Sequence, residues 1–318
     1  MADADGAGHP RRDHLGLPAA ALLLSCCAFW GLQQVLVKVT LEEMPAAFQA
    51  MLRFAASTAC LMVWCRLRGI ALFDRDGSLW PGLLVGALFA GEMLCVFLGL
   101  QYIPASRLTV FLYASPLWAA LILPWVIRSE RLRALQWVGL LLAFLAVAYT
   151  LRDGLLRGQT EAQHWGDILA LASGLFWAMT TVTIRSSERL MRASAEKLLF
   201  YQVGGAAVFS AALSLILGDV WVSSFSPFAI TSLALQAVVG GFASYLVWMW
   251  MLGRYPATKM GAFALSTPVF AVIFGAVWLG ETVHMELVAA LAAVIFGITL
   301  VNRKPAAATP PDATPETT

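Results

Sequence analysis

The chain has 318 residues, 60% of them hydrophobic and 13% charged, with a formal net charge of +2. A soluble domain carries roughly 45–50% apolar and about 25% charged residues, so this composition fits lipid as the solvent and argues against an aqueous enzyme domain. The small net charge gives no reason to expect a nucleic-acid partner.

The first 16 residues, MADADGAGHPRRDHLG, read as a disordered tail. Arg11-Arg12 lacks the rest of a twin-arginine pattern, and the apolar run from Leu17 continues past Cys26, beyond what a signal-peptide core needs. It reads as a retained first span. Ten spans are expected, at 17–38, 46–65, 79–101, 104–127, 133–151, 165–185, 195–217, 230–252, 257–279 and 283–301. Each is close to the length that crosses ~30 Å of hydrocarbon at 1.5 Å per residue. The longest connection, 152–164, is too short for a soluble domain and reads as an external linker, so any function must be built from the helices. Residues 302–318, rich in Pro and Thr, read as a second disordered tail.

Lys and Arg fix the expected orientation. With residue 1 in the cytoplasm, sixteen basic residues fall at inner ends, against Lys38, Arg107, Arg152 and Arg157 at outer ends. Both termini are expected to be cytoplasmic. The five cysteines lie in or beside apolar runs without a CxxC pair, and the four histidines lie in tails or near helix ends. No cofactor and no metal are expected.

The chain also repeats itself. A shift of 152 residues places Pro104-Ala105-Ser106-Arg107 on Pro256-Ala257-Thr258-Lys259, Phe111 on Phe263, and Ser115-Pro116 on Thr267-Pro268. A shift of 147 places Phe29-Trp30 on Phe176-Trp177 and Lys38 on Arg185. Five spans per copy is an odd number, so the second copy enters the membrane from the opposite face. The fold class expected is therefore all-α integral membrane, with ten transmembrane helices as two inverted five-helix repeats, 17–151 and 165–301. Inverted repeats of this kind are common in secondary transporters and also occur in channels.

Trp30-Gly31 with Lys38, Pro45 and Arg53, the Pro-Ala-Ser/Thr entry and Ser/Thr-Pro centre of spans four and nine, Ser129-Glu130-Arg131-Leu132, Leu279-Gly280-Glu281, and Ser244-Tyr245 with Trp248 occur in both order and spacing. In these the chain resembles the EamA-type, ten-helix branch of the drug/metabolite transporter superfamily, over about residues 17–303. The resemblance implies a bacterial inner-membrane exporter of small metabolites or drugs with a central cavity. Glu92 departs from the family pattern, in which that position is commonly small or aromatic, so the resemblance assigns it no role.

Glu92 lies about 13 Å from the outer end of span three, near the bilayer midplane. A charge there costs about 2.5–3.5 kcal/mol and normally faces protein or a wet cavity. Its repeat mate is Tyr245. Arg53 lies at similar depth in span two, and two readings stand: a structural Arg53–Glu92 ion pair, or a substrate or proton site. If they pair, Arg53→Leu lowers yield and adding Glu92→Leu restores it. Trp30, Gln33 and Gln34 share one helix face, and Trp177, Thr180 and Thr181 repeat the spacing. They suit either interhelical hydrogen bonds or a cavity for an amphipathic solute. Tyr113, Ser115, Ser266 and Thr267 flank Pro116 and Pro268, where hydroxyls either satisfy carbonyls freed by proline or line the cavity. The two prolines are expected to bend their helices near the midplane, as gates or as static kinks. Gly82, Gly86 and Ala90, and likewise Ala289, Ala293 and Gly297, form small-residue stripes for close packing, the second also a candidate homodimer face.

The function expected is alternating-access export of a small organic solute, an amino acid, related amphipath or drug. A pore or lipid scramblase is the alternative. An intramembrane enzyme fits less well, since no nucleophile–base pair or histidine lies at depth.

Overall fold

The structure, a computed structural model, describes residues 16–126, 137–138, 141–142, 145, 160–221, 224–252, 254–255, 260 and 263–301. Most of the fifth expected span and of the 152–164 linker, the Ser129–Leu132 and Pro256–Lys259 motifs, residues 1–15 and the 302–318 tail lie outside the described residues.

The described elements are helical. They are α1 (Leu17–Thr40), α2 (Ala46–Arg68), α3 (Leu79–Gly99), α4 (Ala105–Leu112), α5 (Ser115–Val126), α6 (Glu161–Ser186), α7 (Glu188–Arg192), α8 (Ala195–Leu217) and α9 (Pro227–Ala234). A π-helical segment, Leu235–Ala243, then leads into α10 (Ser244–Leu252), followed by α11 (Ser266–Leu279) and α12 (Met285–Val301). Among the described residues seven spans, the fourth formed by α4 and α5 and the last by α9 to α10, are long and apolar enough to cross a membrane. α11 is a shorter apolar helix.

Local chemistry sets the ends. Gly69 and Gly218, 149 residues apart, take φ of 67° and 68° just past α2 and α8, a left-handed conformation that glycine adopts without penalty. A side chain would meet nothing within 4 Å at either place, so conformation and not space requires glycine there. α6 begins at Glu161, four residues before the expected 165, because Thr160 and Gln163 form a reciprocal capping box. Its first turn is polar, which hid it from an apolar-run reading. Ser226 caps α9 and is itself held by Glu43, whose carboxylate accepts from Ser226 Oγ at 2.5 Å and from its N–H at 3.1 Å. These hydrogen bonds hold the Glu43 carboxyl below the usual range.

Both proline spans are interrupted in their helical winding. α4 stops at Leu112 and α5 restarts at Ser115, so Pro116 sits in a new first turn, where a missing N–H costs little. Likewise α11 starts at Ser266 after Leu265, with Pro268 in its first turn. Each helix restarts at its proline, which relieves the clash of the proline ring with the preceding turn. Ser266 Oγ donates to Phe263 O at 2.7 Å across the second break. Each break receives a helix from elsewhere in the chain. A Cβ on Gly174 of α6 would lie 3.0 Å from Phe111 O at the first break. At the second, Cys27 Sγ of α1 donates to Phe263 O at 3.4 Å, and Gly31 packs further along α11, where a Cβ would lie 2.7 Å from Ala271 N.

The most extensive packing is α3 on α6, with only a slight counterpart between α1 and the π segment, while other contacts come in pairs: α1 on α11 and α6 on α4 and α5; α3 on α8 and α2 on the π segment; α2 on α8. The main core, with Phe54, Phe97, Phe111 and Leu108 fully buried, lies where α2, α3, α4 and α8 meet. Gly205 of α8 and Gly86 of α3 pack backbone to backbone, since a Cβ on Gly205 would lie 2.7 Å from Gly86 Cα.

Candidate functional site

Two polar clusters mark opposite ends of the bundle. At one, Lys38 Nζ donates to Leu100 O (3.2 Å) and Ile103 O (2.6 Å), closing the end of α3. Beside it, α4 begins after Pro104, which offers no capping side chain. Glu281, placed by the left-handed Gly280, does this work from 175 residues away. Its carboxylate accepts from Ala105 N (2.7 Å), Ser106 N (3.1 Å) and Ser106 Oγ (2.6 Å). A bidentate Arg107–Asp167 pair, at 2.6 and 2.8 Å, ties α4 to α6. At the other end Lys197 Nζ meets Asp76 Oδ2 at 2.8 Å, while Ser78 donates twice to Asp76 Oδ1. The Lys197 hydrogen bond, then those from Ser78, hold the Asp76 carboxyl well below the usual range.

Between the two ends lies a cavity of about 370 Å³, within the range of small-molecule sites. All ten expected lining residues face it: Trp30, Gln33 and Gln34 from α1, Arg53 from α2, Glu92 from α3, Tyr113 from the α4–α5 break, Trp177, Thr180 and Thr181 from α6, and Tyr245 from α10. Its wall continues to Ile184, Arg185 and Leu198, where α6 ends and α8 begins. No lining residue comes from the Lys38–Glu281 end. Ser115, Thr267, Pro116 and Pro268 do not line it; Ser115 and Thr267 are buried at the two restarts.

Aromatic faces form much of the wall. Trp30 lies 5.7 Å from Tyr245 and 5.3 Å from Trp248, and Tyr113 meets Trp177 edge to face at 5.2 Å. The π segment builds this arrangement. Gly240 receives Gln33, Gly241 receives Ser57, and Ser57 Oγ donates to Ala237 O at 3.0 Å. Just beyond, Trp30 Nε1 donates to Ser244 Oγ at 2.8 Å. Single-turn π geometry is frequent at functional sites.

The charged pair expected of Arg53 and Glu92 is not formed. Among the described residues no ion pair joins them, although both are buried, at 1% and 4% exposure. Arg53 packs its guanidinium against the rings of Phe54 (4.8 Å) and Phe97 (5.6 Å), which draws it away from Glu92. Its Nε and Nη2, and Glu92 Oε2, have no hydrogen-bond partner. Gln33 Oε1 and Gln34 Oε1 are also unpartnered. Thr180 and Thr181 donate to Phe176 O and Trp177 O of their own helix, at 3.0 and 3.1 Å, and not to a neighbour.

Gln202 also lines the cavity and was not anticipated. The signal was present: Gln202 lies 149 residues from Arg53, the separation that relates Gly69 to Gly218. Phe89 and Val96, one turn either side of Glu92, look like ordinary apolar positions and carried no signal.

Residues 17–152 and 164–303 each match the profile of the EamA-like transporter family. The chain belongs to the EamA-like transporter family. As an EamA-like transporter it is a multi-pass membrane protein and a transporter. It is 26% identical to an uncharacterized transporter of Archaeoglobus fulgidus, over 82% of this chain and 89% of the relative. It is 27% identical to the uncharacterized transporter YvbV of Bacillus subtilis, over 90% and 92% of the two chains. A Salmonella typhimurium protein named "Probable amino-acid metabolite efflux pump" is 27% identical over 85% of this chain and 90% of its own. One solved crystal structure shares the fold of this EamA-like transporter with a TM-score of 0.63, at 21% identity, covering 89% of this chain and 97% of the other.

Proposed function

We propose that this transporter exports a zwitterionic amphipathic solute, an amino acid or a close relative, by alternating access across a bacterial inner membrane. The observation that carries the reading is the cavity itself, with one unpaired cation, Arg53, and one unpaired carboxylate, Glu92, among aromatic rings. A buried charge without a partner costs several kcal/mol, and a solute that brings a carboxylate to Arg53 and an ammonium to Glu92 offsets both at once. Trp30, Trp177 and Tyr245 then hold the apolar remainder. The name of the Salmonella relative agrees with this class. The inner-membrane name of an Escherichia coli relative, 25% identical, agrees with the location.

The wider architecture proposed is ten spans in two inverted repeats, 17–151 and 165–301, joined by the 152–164 linker, with both termini cytoplasmic. Two separate family matches, the paired helix contacts and the two helix restarts support it. So does the concentration of basic residues at the Arg185–Lys197 end, which is then the cytoplasmic mouth of the cavity. Ser115-Pro116 and Thr267-Pro268 are proposed as the joints at which the halves move.

Reconstituted protein tests the reading. Labelled amino acid should enter vesicles preloaded with the unlabelled form, saturably and by counterflow. Arg53→Gln and Glu92→Gln should each lower the rate at least tenfold, a loss of about 1.4 kcal/mol or more in binding the moving solute. A flux linear in concentration without counterflow would show a pore, and lipid flip-flop alone would show a scramblase. Wild-type rates in both variants would remove Arg53 and Glu92 from the site.

A further inference from the structure

A second concavity lies on the outside of the bundle, between α2, α3 and α8, with a volume of about 1170 Å³. Its floor is made by small residues. Gly86 and Gly205 bring α3 and α8 into backbone contact, and at Gly204 a Cβ would meet only Thr58 Cγ2, at 4.0 Å. Its walls are apolar, including Met62, Leu83, Val208 and Phe209, which are 45–69% exposed. In a membrane-spanning bundle such a surface meets acyl chains. The lining runs from Phe200 to Phe209 along α8 and from Leu79 to Gly86 along α3, about 14 and 10 Å at 1.5 Å per residue. That is close to one leaflet, half of the ~30 Å hydrocarbon thickness.

The groove is not apolar throughout. At its mouth, in the α2–α3 connection and on α7, stand Arg75, Arg189 and Asp74. Arg189 Nη1 donates to Gly77 O at 3.2 Å, and neither arginine is in an ion pair among the described residues. The nearby Asp76 carboxylate is already taken by Lys197 and Ser78. The rim therefore presents two guanidinium groups against the single carboxylate of Asp74. Phe73 and Trp80, 74% and 79% exposed, stand at the same level, where aromatic side chains anchor to the membrane interface.

We infer that this groove is a binding site for an anionic phospholipid of the leaflet at the Arg75–Arg189 end. The acyl chains lie along Gly204 and Val208, and the phosphodiester meets Arg75 and Arg189. A phosphocholine head brings its own cation to the same two guanidiniums and is disfavoured.

The full chain, reconstituted in bilayer discs of equal phosphatidylglycerol and phosphatidylcholine, tests this by native mass spectrometry of retained lipid. Phosphatidylglycerol should be enriched about 10-fold or more, from two basic groups at the surface, and Arg75→Gln with Arg189→Gln should abolish the enrichment. Brominated phosphatidylglycerol should quench the fluorescence that Trp80→Phe removes, more than brominated phosphatidylcholine does. Gly204→Leu, which fills open space, should fold and lose the retained lipid. Equal retention of the two lipids, or an enrichment that survives the arginine replacements, overturns the proposal. So does a dimer that Gly204→Leu converts to monomer, since the groove then holds a second copy of the chain.

Discussion

Replacing Glu281 by alanine should loosen the bundle where α11 meets α4. The carboxylate holds three donors at 2.6–3.1 Å, two of them orphan N–H groups at the start of α4 that Pro104 leaves uncapped. Hydrogen bonds to a charged group contribute about 1.5–3 kcal/mol each, and a lost helix cap alone costs about 0.5–2 kcal/mol. Water reaches this half-buried site and replaces part of the set, which leaves about 2–3 kcal/mol for the whole. That corresponds to about 30- to 150-fold in the opening equilibrium of this end. Hydrogen exchange read by mass spectrometry should show peptides covering Ala105 to Thr109 exchanging faster by that factor. Peptides from α8, remote from the cluster, should not change. Glu281→Gln keeps one acceptor and should fall between the two. Unchanged exchange at Ala105 and Ser106 in the alanine variant would refute the assignment of Glu281 as the cap of α4.

Gly31→Ala and Gly174→Ala should each lower the melting temperature in detergent, through overpacking worth about 1–3 kcal/mol, because both glycines touch the backbone of another helix. Gly204→Ala, which meets open space, should be neutral in the same measurement. Arg107→Ala should cost about 3–5 kcal/mol by leaving Asp167 buried and unpaired, and Arg107→Leu with Asp167→Leu should recover most of it in chemical unfolding. For Asp76 the folded carboxyl is held below its unfolded value of about 3.9. Its contribution is therefore present at neutral pH and lost as pH falls through the depressed folded value. The stability gap between wild type and Asp76→Asn should thus be flat from about pH 8 to 5 and shrink only in stronger acid.

Depth and doubling made the cavity legible in the sequence. Glu92 and Tyr245, and Trp30 and Trp177, stand out because polar or aromatic groups recur at matching positions of two apolar spans. Gln202 was legible by the same logic and escaped because the second span was not aligned with the seventh. What charge pairing Arg53 and Glu92 adopt was not legible, since similar depth cannot say which way a guanidinium turns. Phe54 and Phe97 decide that, and their role emerges only when α2 and α3 are packed. The restarts at Ser115 and Ser266 were half visible. Proline announced a break, but the partners that meet each break, Gly174 of α6 and Cys27 of α1, come from other helices. The Glu281 cap joins residues 175 and 176 positions apart and has no local signature.

The π segment Leu235–Ala243 has a consequence for motion along its own axis. A stretch wound i to i+5 holds a surplus residue relative to the α ladder on either side. Expelling that surplus would turn everything beyond by about 100° and shift it ~1.5 Å. Tyr245 and Trp248 lie immediately beyond, and Ser244, which holds Trp30, lies at the join. A single change of winding therefore sweeps one aromatic wall off the cavity while leaving α1 in place. Side chains larger than glycine at Gly240 and Gly241 would meet Gln33 and Ser57 and block such a change of winding.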